Sequence, residues 1–544
     1  MFRRLTVALA LFACGTSFAE TPDDAVLDAV SWVQENGNSA PGMRFFSLYN
    51  LPETATRLGK DGQPETYSPH DECVQVLLFS VNLLNRVNPA CRMIQISDTL
   101  FGIYLDQPGW EHGAWESLAA KNAYFHPDWV QVEHWSYLSY ATGSAYPIMR
   151  ADEFIAKSTV APAYYDFLFG VGKVKTLGEF WKAMGVDENF LYGANLVNAG
   201  VKSQGLTVTR HNRRLEFRPG PFDVWTSLDT FSNQGKQNAL RQLGFLHGTQ
   251  HQLEIAGQEH IFQLKNGLIG GYLNDGNGNR INEVPITVAA GEESFPDRTV
   301  KAGRSCFACH DKGIKPFESD QFKLLSKQIV ELATTDSFAA KKLEGAYDER
   351  AVQDHISDGI ETYERAVQRI AGDSGEVVSR RYVSLWNSYS EKPVDLQTAA
   401  AECGMEPEEF VATIGPAIDP NLLMLVPQEG LKGEIARDTW EETFRIAMLL
   451  KGRPEYQAWV KAEEAKRADA PMESQVMTPG ANTLSVPRDK PVEKYDSNAI
   501  GSVKIEGGKV VGEELQYPVT IGEGVEWVEF QLKGGSKERF EVKR

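Results

Sequence analysis

Several familiar signatures of chemistry are missing from this sequence. No Ser-His-Asp constellation, phosphate-binding loop or paired-carboxylate motif stands out, so none of those chemistries has a local signal here. Positive charge is in short supply: 55 Lys and Arg stand against 74 Asp and Glu, a formal net charge of −19. A surface this acidic repels phosphate backbones and makes nucleic acid a poor partner. It suits a basic partner protein, and serves general solubility equally well. Beyond the N-terminal run, no apolar stretch is long enough to span a bilayer as a helix. There is no internal repeat and no heptad array.

What is present begins with an export signal. Met1-Phe2-Arg3-Arg4 is a short positive segment, Leu5 to Ala13 is an apolar run too short to cross a membrane, and Ser17-Phe18-Ala19 is a small-x-small cleavage site. The expected signal peptide is 1–19, which places the mature chain in the periplasm or outside the cell. A second reading puts cleavage before Cys14 and leaves a lipid on it. Phe12 fits a lipoprotein box poorly, so the soluble reading is preferred.

Cysteine is sparse, at six: Cys14, Cys73, Cys91, Cys306, Cys309 and Cys403. Export permits a disulfide, and Cys73 with Cys91 is the obvious pair. Residues 71–86 read as one helix, however. At about 1.5 Å per residue, Cys73 lies roughly 20 Å from the end of that helix where Cys91 follows. A disulfide needs Cα atoms within about 7 Å, so buried free thiols are expected instead.

Along the chain, helices are expected at 24–37 and 71–87, with strands at 93–97 and 100–105. The aromatic-rich stretch 109–146 reads as core rather than a cofactor cage. From about 205 to 300 the pattern turns to period two, with candidate strands at 215–218, 222–225, 252–255, 260–264 and 268–273. Lys265-Asn266-Gly267 forms a hairpin turn, and Gly270-Gly271 suggests a bulge or a close backbone approach. Helices then follow at 319–333 (with Ser319 as N-cap), 337–345, 348–371, 376–390, 395–404, 406–414 and 437–467. The expected fold class is α+β. Its parts are a mixed region 20–204, a β-rich region 205–300, a haem-attachment and helical region 301–467, a linker 468–500 and a small β appendage 501–544.

The chemistry sits in Gly303-Arg304-Ser305-Cys306-Phe307-Ala308-Cys309-His310. A Cys-x-x-Cys-His string lets two thiols add across the two haem vinyl groups, and places the next residue beneath the iron as proximal ligand. Export agrees with this, because c-type haem is attached outside the cytoplasm. A thioredoxin-like redox pair would need a βαβ setting that the pattern does not offer. Half a zinc site would need a second pair, and Cys403 and His355 lack zinc-ribbon spacing. Cys306 and Cys309 are therefore read as the haem attachment points, and His310 as the iron ligand. For the sixth position the candidates are His355, Met405, Met424 and Met448. An empty or water-filled position stands beside them, and none is chosen.

Two weaker constellations are set aside. His247, His251 and His260 cluster in sequence, but Gly248 and Thr249 argue against the helix that would align them, so they read as ordinary strand and loop residues. Asp275-Gly276-Asn277-Gly278-Asn279 superficially resembles a calcium loop. Arg280 and Ile286 stand where the sixth-position Gly and twelfth-position Glu belong, so it reads as a Gly-rich hairpin turn.

With these residues in hand, the chain resembles a group of large secreted bacterial mono-haem cytochrome c proteins, mostly of uncharacterised function. The resemblance runs from about 44 to 430. It includes Arg150-Ala151-Asp152, Asp223-Val224-Trp225, Asn266-Gly267-Leu268, Gly278-Asn279-Arg280 and Pro296-Asp297-Arg298. It then runs through the haem motif to Ala399-Ala400-Ala401-Glu402 and Pro407-Glu408-Glu409-Phe410. It implies that β-rich and helical parts enclose one haem c together, and it supplies no substrate. The leading functional expectation is periplasmic electron transfer with a redox partner protein. Against it stands size, since wrapping one haem takes only about a hundred residues. The alternatives are a peroxidase-like haem enzyme and a haem-based sensing or binding module.

Overall fold

The computed structural model describes residues 21–58, 63–126, 132–186, 197–201, 211–241, 253–284, 295–414, 419–427 and 433–452, together with strands between 480 and 541. The expected signal peptide and Cys14 lie outside the described residues, as do His247 and His251. The fold is α+β, with helices and several small sheets. The chain divides into two compact units, Met1–Leu449 and Leu450–Arg544.

The first unit opens on a helix, Pro22–Glu35, started by Pro22 and a capping box between Thr21 and Asp24. Its apolar face (Val26, Ala29, Val30, Val33) is buried. A four-stranded sheet follows, ordered Ile94–Gln95, Leu100–Tyr104, Met43–Ser47 and Ile148–Arg150, the last pair parallel. Helix Pro69–Leu83 is capped by Ser68 and buries Cys73, Val76, Leu77 and Phe79. Cys73 and Cys91 are both buried free thiols; Cys91 Sγ donates to Asn82 Oδ1 at 3.5 Å. Most of the described aromatics in the 109–146 stretch are core: Trp110, Trp115, Tyr124 and Trp135 are buried, while Tyr140 is exposed.

The second sheet positions the site. Five strands run antiparallel in a simple meander: Val197–Val201, Arg213–Arg218, Val224–Thr230, Ile255–Gln263 and Ile269–Asp275. The β-rich region therefore begins before 205. Residues 252–255 and 260–264 are not separate strands either: one strand runs from Ile255 through Gly257 to Gln263. The register to Val224–Thr230 shifts between Ile255 and Gly257, and a Cβ at Gly257 would lie 3.3 Å from the Asn274 carbonyl, so the glycine lets one strand run on through an irregularity. Register puts Leu215, Phe217, Trp225, Ser227, Glu259, Ile261 and Gly271 on one face. The opposite face carries Arg214, Glu216, Thr226, His260, Tyr272 and Asn274. The open edge of Ile269–Asp275 is covered: Gly271 N–H donates to the Tyr164 hydroxyl at 2.7 Å, and Leu273 N–H to the Tyr165 hydroxyl at 3.1 Å.

After the motif the chain is helical, at Asp320–Ala333, Ser337–Ala346, Glu349–Ala371, Gly375–Ser390, Leu396–Glu402, Pro407–Ile414 and Arg437–Lys451. Ser319 occupies the N-cap position but forms no side-chain cap. Its hydroxyl instead accepts from Gly200 N–H at 3.1 Å and donates to Gly200 C=O at 3.2 Å, tying the helix to the edge of the sheet. No helix among the described residues is long and apolar enough to cross a membrane.

Two segments quoted for the resemblance meet in the core. Arg150 donates to Asp152 (3.0 and 2.5 Å) and to Glu402 Oε1 (3.0 Å). Glu402 also accepts from Arg437 (2.8 and 2.9 Å) and from Trp440 Nε1 (2.6 Å). The Arg150 guanidinium lies 3.8 Å from the Tyr124 ring centroid. Burial pushes the Glu402 carboxyl up, but Arg150 and Arg437 outweigh it and hold the group below the usual carboxylate range. The cluster joins the N-terminal sheet to the C-terminal helices.

The second unit is built of antiparallel strands. One sheet has Glu514–Ile521 between Gly480–Pro487 and Val503–Ile505, with Lys509–Val511 also on Glu514–Ile521. The other is ordered Val492–Ser497, Trp527–Leu532, Lys537–Glu541. The expected linker 468–500 is corrected in part, since two of these strands fall inside it. Its prolines misled because they sit at strand limits: Pro487 ends an edge strand, and Pro491 directly precedes another.

Candidate haem-binding site

The motif forms a six-residue helix, Arg304–Cys309, with His310 at its C-cap. Three contacts hold its start. Gly303 has φ +87°, and a Cβ there would meet the Thr159 carbonyl and the Tyr164 ring. Arg304 is fully buried between Phe295 (4.3 Å) and Trp386 (4.4 Å) and donates to Asp297 at 2.6 Å. Lys301 N–H donates to Ser305 Oγ at 3.0 Å. Phe307 packs edge-on against Phe79, Tyr164 and Tyr382. Buried groups thus fix the start of the helix and its Phe307 face.

Cys306 and Cys309, three apart, share one helix face; both are buried and neither is in a disulfide. Cys306 lies on the backbone of Gly271: a Cβ at that position would collide with its sulfur and come within 3.8 Å of Ile261. The glycine pair therefore marks a close approach, with no bulge, since the register on either side is unbroken. Burial pushes the Cys306 thiol up to about 12. A thioredoxin-like pair works through a lowered thiol, so this environment speaks against that reading.

His310 N–H is bonded to the Cys306 carbonyl at 2.9 Å, and its ring Nδ1 lies 3.0 Å from the Gly313 carbonyl. As the donor in that contact, Nδ1 carries the proton and leaves Nε2 as a free lone pair, the form in which histidine binds a metal. Burial pushes the imidazole pKa down, which also keeps it neutral. His310 lines a cavity of about 560 Å³ between the sheet face and residues 314–320. Leu215, Trp225, Ile261, Ile314 and Phe317 make its apolar wall; Ser227 and Glu259 add polar groups, and the exposed Lys315 and Glu318 stand at its rim. Phe317 packs at 88° on Trp225.

This setting fits a haem by three observations. The volume falls within the roughly 300–1,000 Å³ of ordinary ligand pockets, and the wall is mainly apolar. The Ser227 hydroxyl is buried at the cavity without a hydrogen-bond partner among the described residues. The His310 imidazole lines the cavity, and Cys306 packs on Gly271 beside Ile261, one of the wall residues. No group of three His, Cys, Asp or Glu that could hold a bare metal ion occurs among the described residues. A porphyrin brings four ligands of its own and needs no such group.

Of the four sixth-ligand candidates, three lie elsewhere. Met405 is buried and its sulfur accepts from Thr413 Oγ1 at 3.7 Å, Met448 is buried on helix Arg437–Lys451, and Met424 is exposed. His355 is not simply solvated. It stacks on Phe217 with centroids 4.1 Å apart and lines a second cavity of about 140 Å³, which shares Trp225, Ile261 and Ile314 with the first. His260 faces the other side of the sheet, between Thr226 Oγ1 (2.9 Å) and Asn274 Oδ1 (2.8 Å), with both nitrogens engaged. The Asp275–Asn279 segment is a turn, closed by Asn277 and Asn279 N–H groups on Asp275 Oδ1.

One residue was missed by the sequence reading. Glu259 Oε1 lies 4.0 Å from His310 Nε2, and Glu259 Oε2 lies 4.0 Å from Arg213 NH1. The signal available was its phase: two residues before Ile261, it takes the same face of the strand.

No family model, curated protein or solved structure matches this chain.

Proposed function

We propose that this chain is an exported c-type cytochrome that carries one haem on Cys306 and Cys309, has His310 as proximal iron ligand, and passes electrons to a partner protein. The observation that carries this reading is His310 within Cys-x-x-Cys-His: Nδ1 is fixed by the Gly313 carbonyl, and the ring lines a cavity whose wall residue Ile261 lies beside the Cys306–Gly271 contact. A haem held there exchanges one electron between Fe(II) and Fe(III).

The chain's own part is attachment, orientation and insulation. Cys306 and Cys309 would hold the haem, each thiol S–H adding across a vinyl C=C with sulfur to one carbon and hydrogen to the other, so that no oxidant would be consumed. Trp225, Ile261 and Phe317 then exclude water from one side, and Gly313 fixes the imidazole plane. The net charge of −19 favours docking of a basic partner.

The test is expression with the c-haem maturation machinery, followed by acid–acetone extraction. Haem should stay with the protein, and Cys306→Ala combined with Cys309→Ala should release it. Covalent haem surviving in that double variant would refute the assignment. Electron transfer itself predicts a reversible one-electron redox wave and a low reactivity toward peroxide; rapid turnover of peroxide would refute the carrier role.

A further inference from the structure

We propose that Glu259 supplies the sixth ligand to the iron, opposite His310. This rests on the haem reading above and adds to it the identity of the distal group.

The argument is first one of distance. Metal–nitrogen and metal–carboxylate bonds in first-row sites such as zinc are about 2.0–2.1 and 2.0–2.2 Å, so two ligands in trans stand about 4.0–4.3 Å apart. Glu259 Oε1 and His310 Nε2 are separated by 4.0 Å. That gap is too long for a hydrogen bond and suits one intervening metal ion. The two groups line one cavity, and Nε2 is the ring nitrogen left free by the Gly313 contact.

The second strand of argument is how Glu259 is held. Its neighbours across the sheet are Ser227 on one side and Leu273 on the other, which fixes its side chain on the cavity face. Arg213 lies 4.0 Å from Oε2 while its Nε donates to Asp229 at 2.8 Å, so a cation anchored by a second carboxylate borders the oxygen that points away from His310. Oε1 is the one left toward the imidazole. Among the described residues lining the cavity there is no methionine and no histidine other than His310.

The chemistry that follows differs from that of a methionine-ligated carrier. A carboxylate is a hard, anionic, weak-field donor. It favours Fe(III) over Fe(II), lowers the potential relative to a thioether ligand, and leaves the ferric ion high-spin.

The experiment uses the full chain matured with covalent haem, with acid–acetone extraction carried out first. Loss of haem at that step overturns the haem reading and this proposal with it. With haem retained, the ferric wild type is expected to be high-spin by electron paramagnetic resonance. In Glu259→Ala, azide should bind at least about tenfold more tightly, since no internal ligand must be displaced. The midpoint potential should rise by about 59 mV or more, a tenfold change in the one-electron equilibrium. Glu259→His should turn the haem low-spin, as a second imidazole opposite His310 requires. A low-spin wild type overturns the proposal without any variant, and so decides the matter even if the substitutions misfold. Unchanged azide affinity and potential in a folded Glu259→Ala protein also overturn it, with the haem assignment left standing.

Discussion

The close approach of Cys306 to Gly271 invites a steric test. Gly271→Ala adds one methyl group at a position whose backbone any residue can adopt, so the change is one of packing. The new carbon would collide with Cys306 Sγ, lie 3.2 Å from Cys306 Cβ and touch Ile261 at 3.8 Å. Overpacking of this kind costs about 1–3 kcal/mol. Loss of glycine's unfolded-state freedom returns about 0.5–1 kcal/mol, so a net loss of roughly 1–2 kcal/mol is expected. The assay is urea unfolding of the haem-free chain with reduced thiols. Cys306→Ala removes the colliding atom but leaves its Cβ, so the double variant should recover part of the loss, with a coupling of about 1 kcal/mol in a double-mutant cycle. Gly345→Ala, a helical site with nothing within 4 Å, should by contrast stabilise by about 0.5–1 kcal/mol. Strict additivity of Gly271→Ala and Cys306→Ala would refute the placement of the motif helix on this strand.

Three further outcomes follow from the buried charges. Glu402→Gln leaves the Arg150 and Arg437 guanidinium groups short of a counter-charge in the core and should cost about 3–5 kcal/mol, read as a lowered urea midpoint. A loss under about 1 kcal/mol would contradict the cluster. Burial pushes His260 down from 6.5 to about 3, so its contribution to stability is present above pH 6.5 and is lost as pH falls toward 3. At about 1.4 kcal/mol per pH unit, roughly 2–3 kcal/mol should disappear between pH 6.5 and 4.5, and His260→Gln should flatten that limb of the thermal-midpoint profile. Glu153 has the opposite slope. Burial raises it from 4.5 to about 7, so its contribution is full below pH 4.5 and is lost as pH rises through 7. Because the two slopes oppose each other in the same window, the wild-type profile alone should be shallow. Glu153→Gln should steepen the loss on the acid side, and a profile unchanged by either substitution would rule out both assignments.

How much of this was legible in the sequence depended on the range over which each feature is determined. The Cys-x-x-Cys-His motif is local, and so are the helices after it: periodicity placed 337–345 against an observed Ser337–Ala346, and 348–371 against Glu349–Ala371. Caps obeyed the same logic except where a distant partner intervened, as when Gly200 took the Ser319 hydroxyl. The cavity is different in kind. His310 and Glu259 are brought together only where the motif helix packs on the sheet, Cys306 on Gly271, and the register that puts Glu259 on that face is a property of pairs of segments rather than of either one. Reading two short strands at 252–255 and 260–264 put Glu259 in the gap between them, where an acidic residue draws no attention. Extending one strand through Gly257 would have placed Glu259 in phase with Ile261, and a carboxylate on the inward phase of a half-buried strand is a flag. The buried ionic cluster escaped notice for the same reason. Arg150, Asp152, Glu402 and Arg437 look like surface charges one at a time and become a core only when Ile148–Arg150 meets Leu396–Glu402 and Arg437–Lys451. What the local sequence carried was the motif proposed to attach the cofactor; what it could not carry was the far side of the cavity. On the proposed reading it is the far side, through Glu259 and the wall around it, that would set the potential of a haem held by His310.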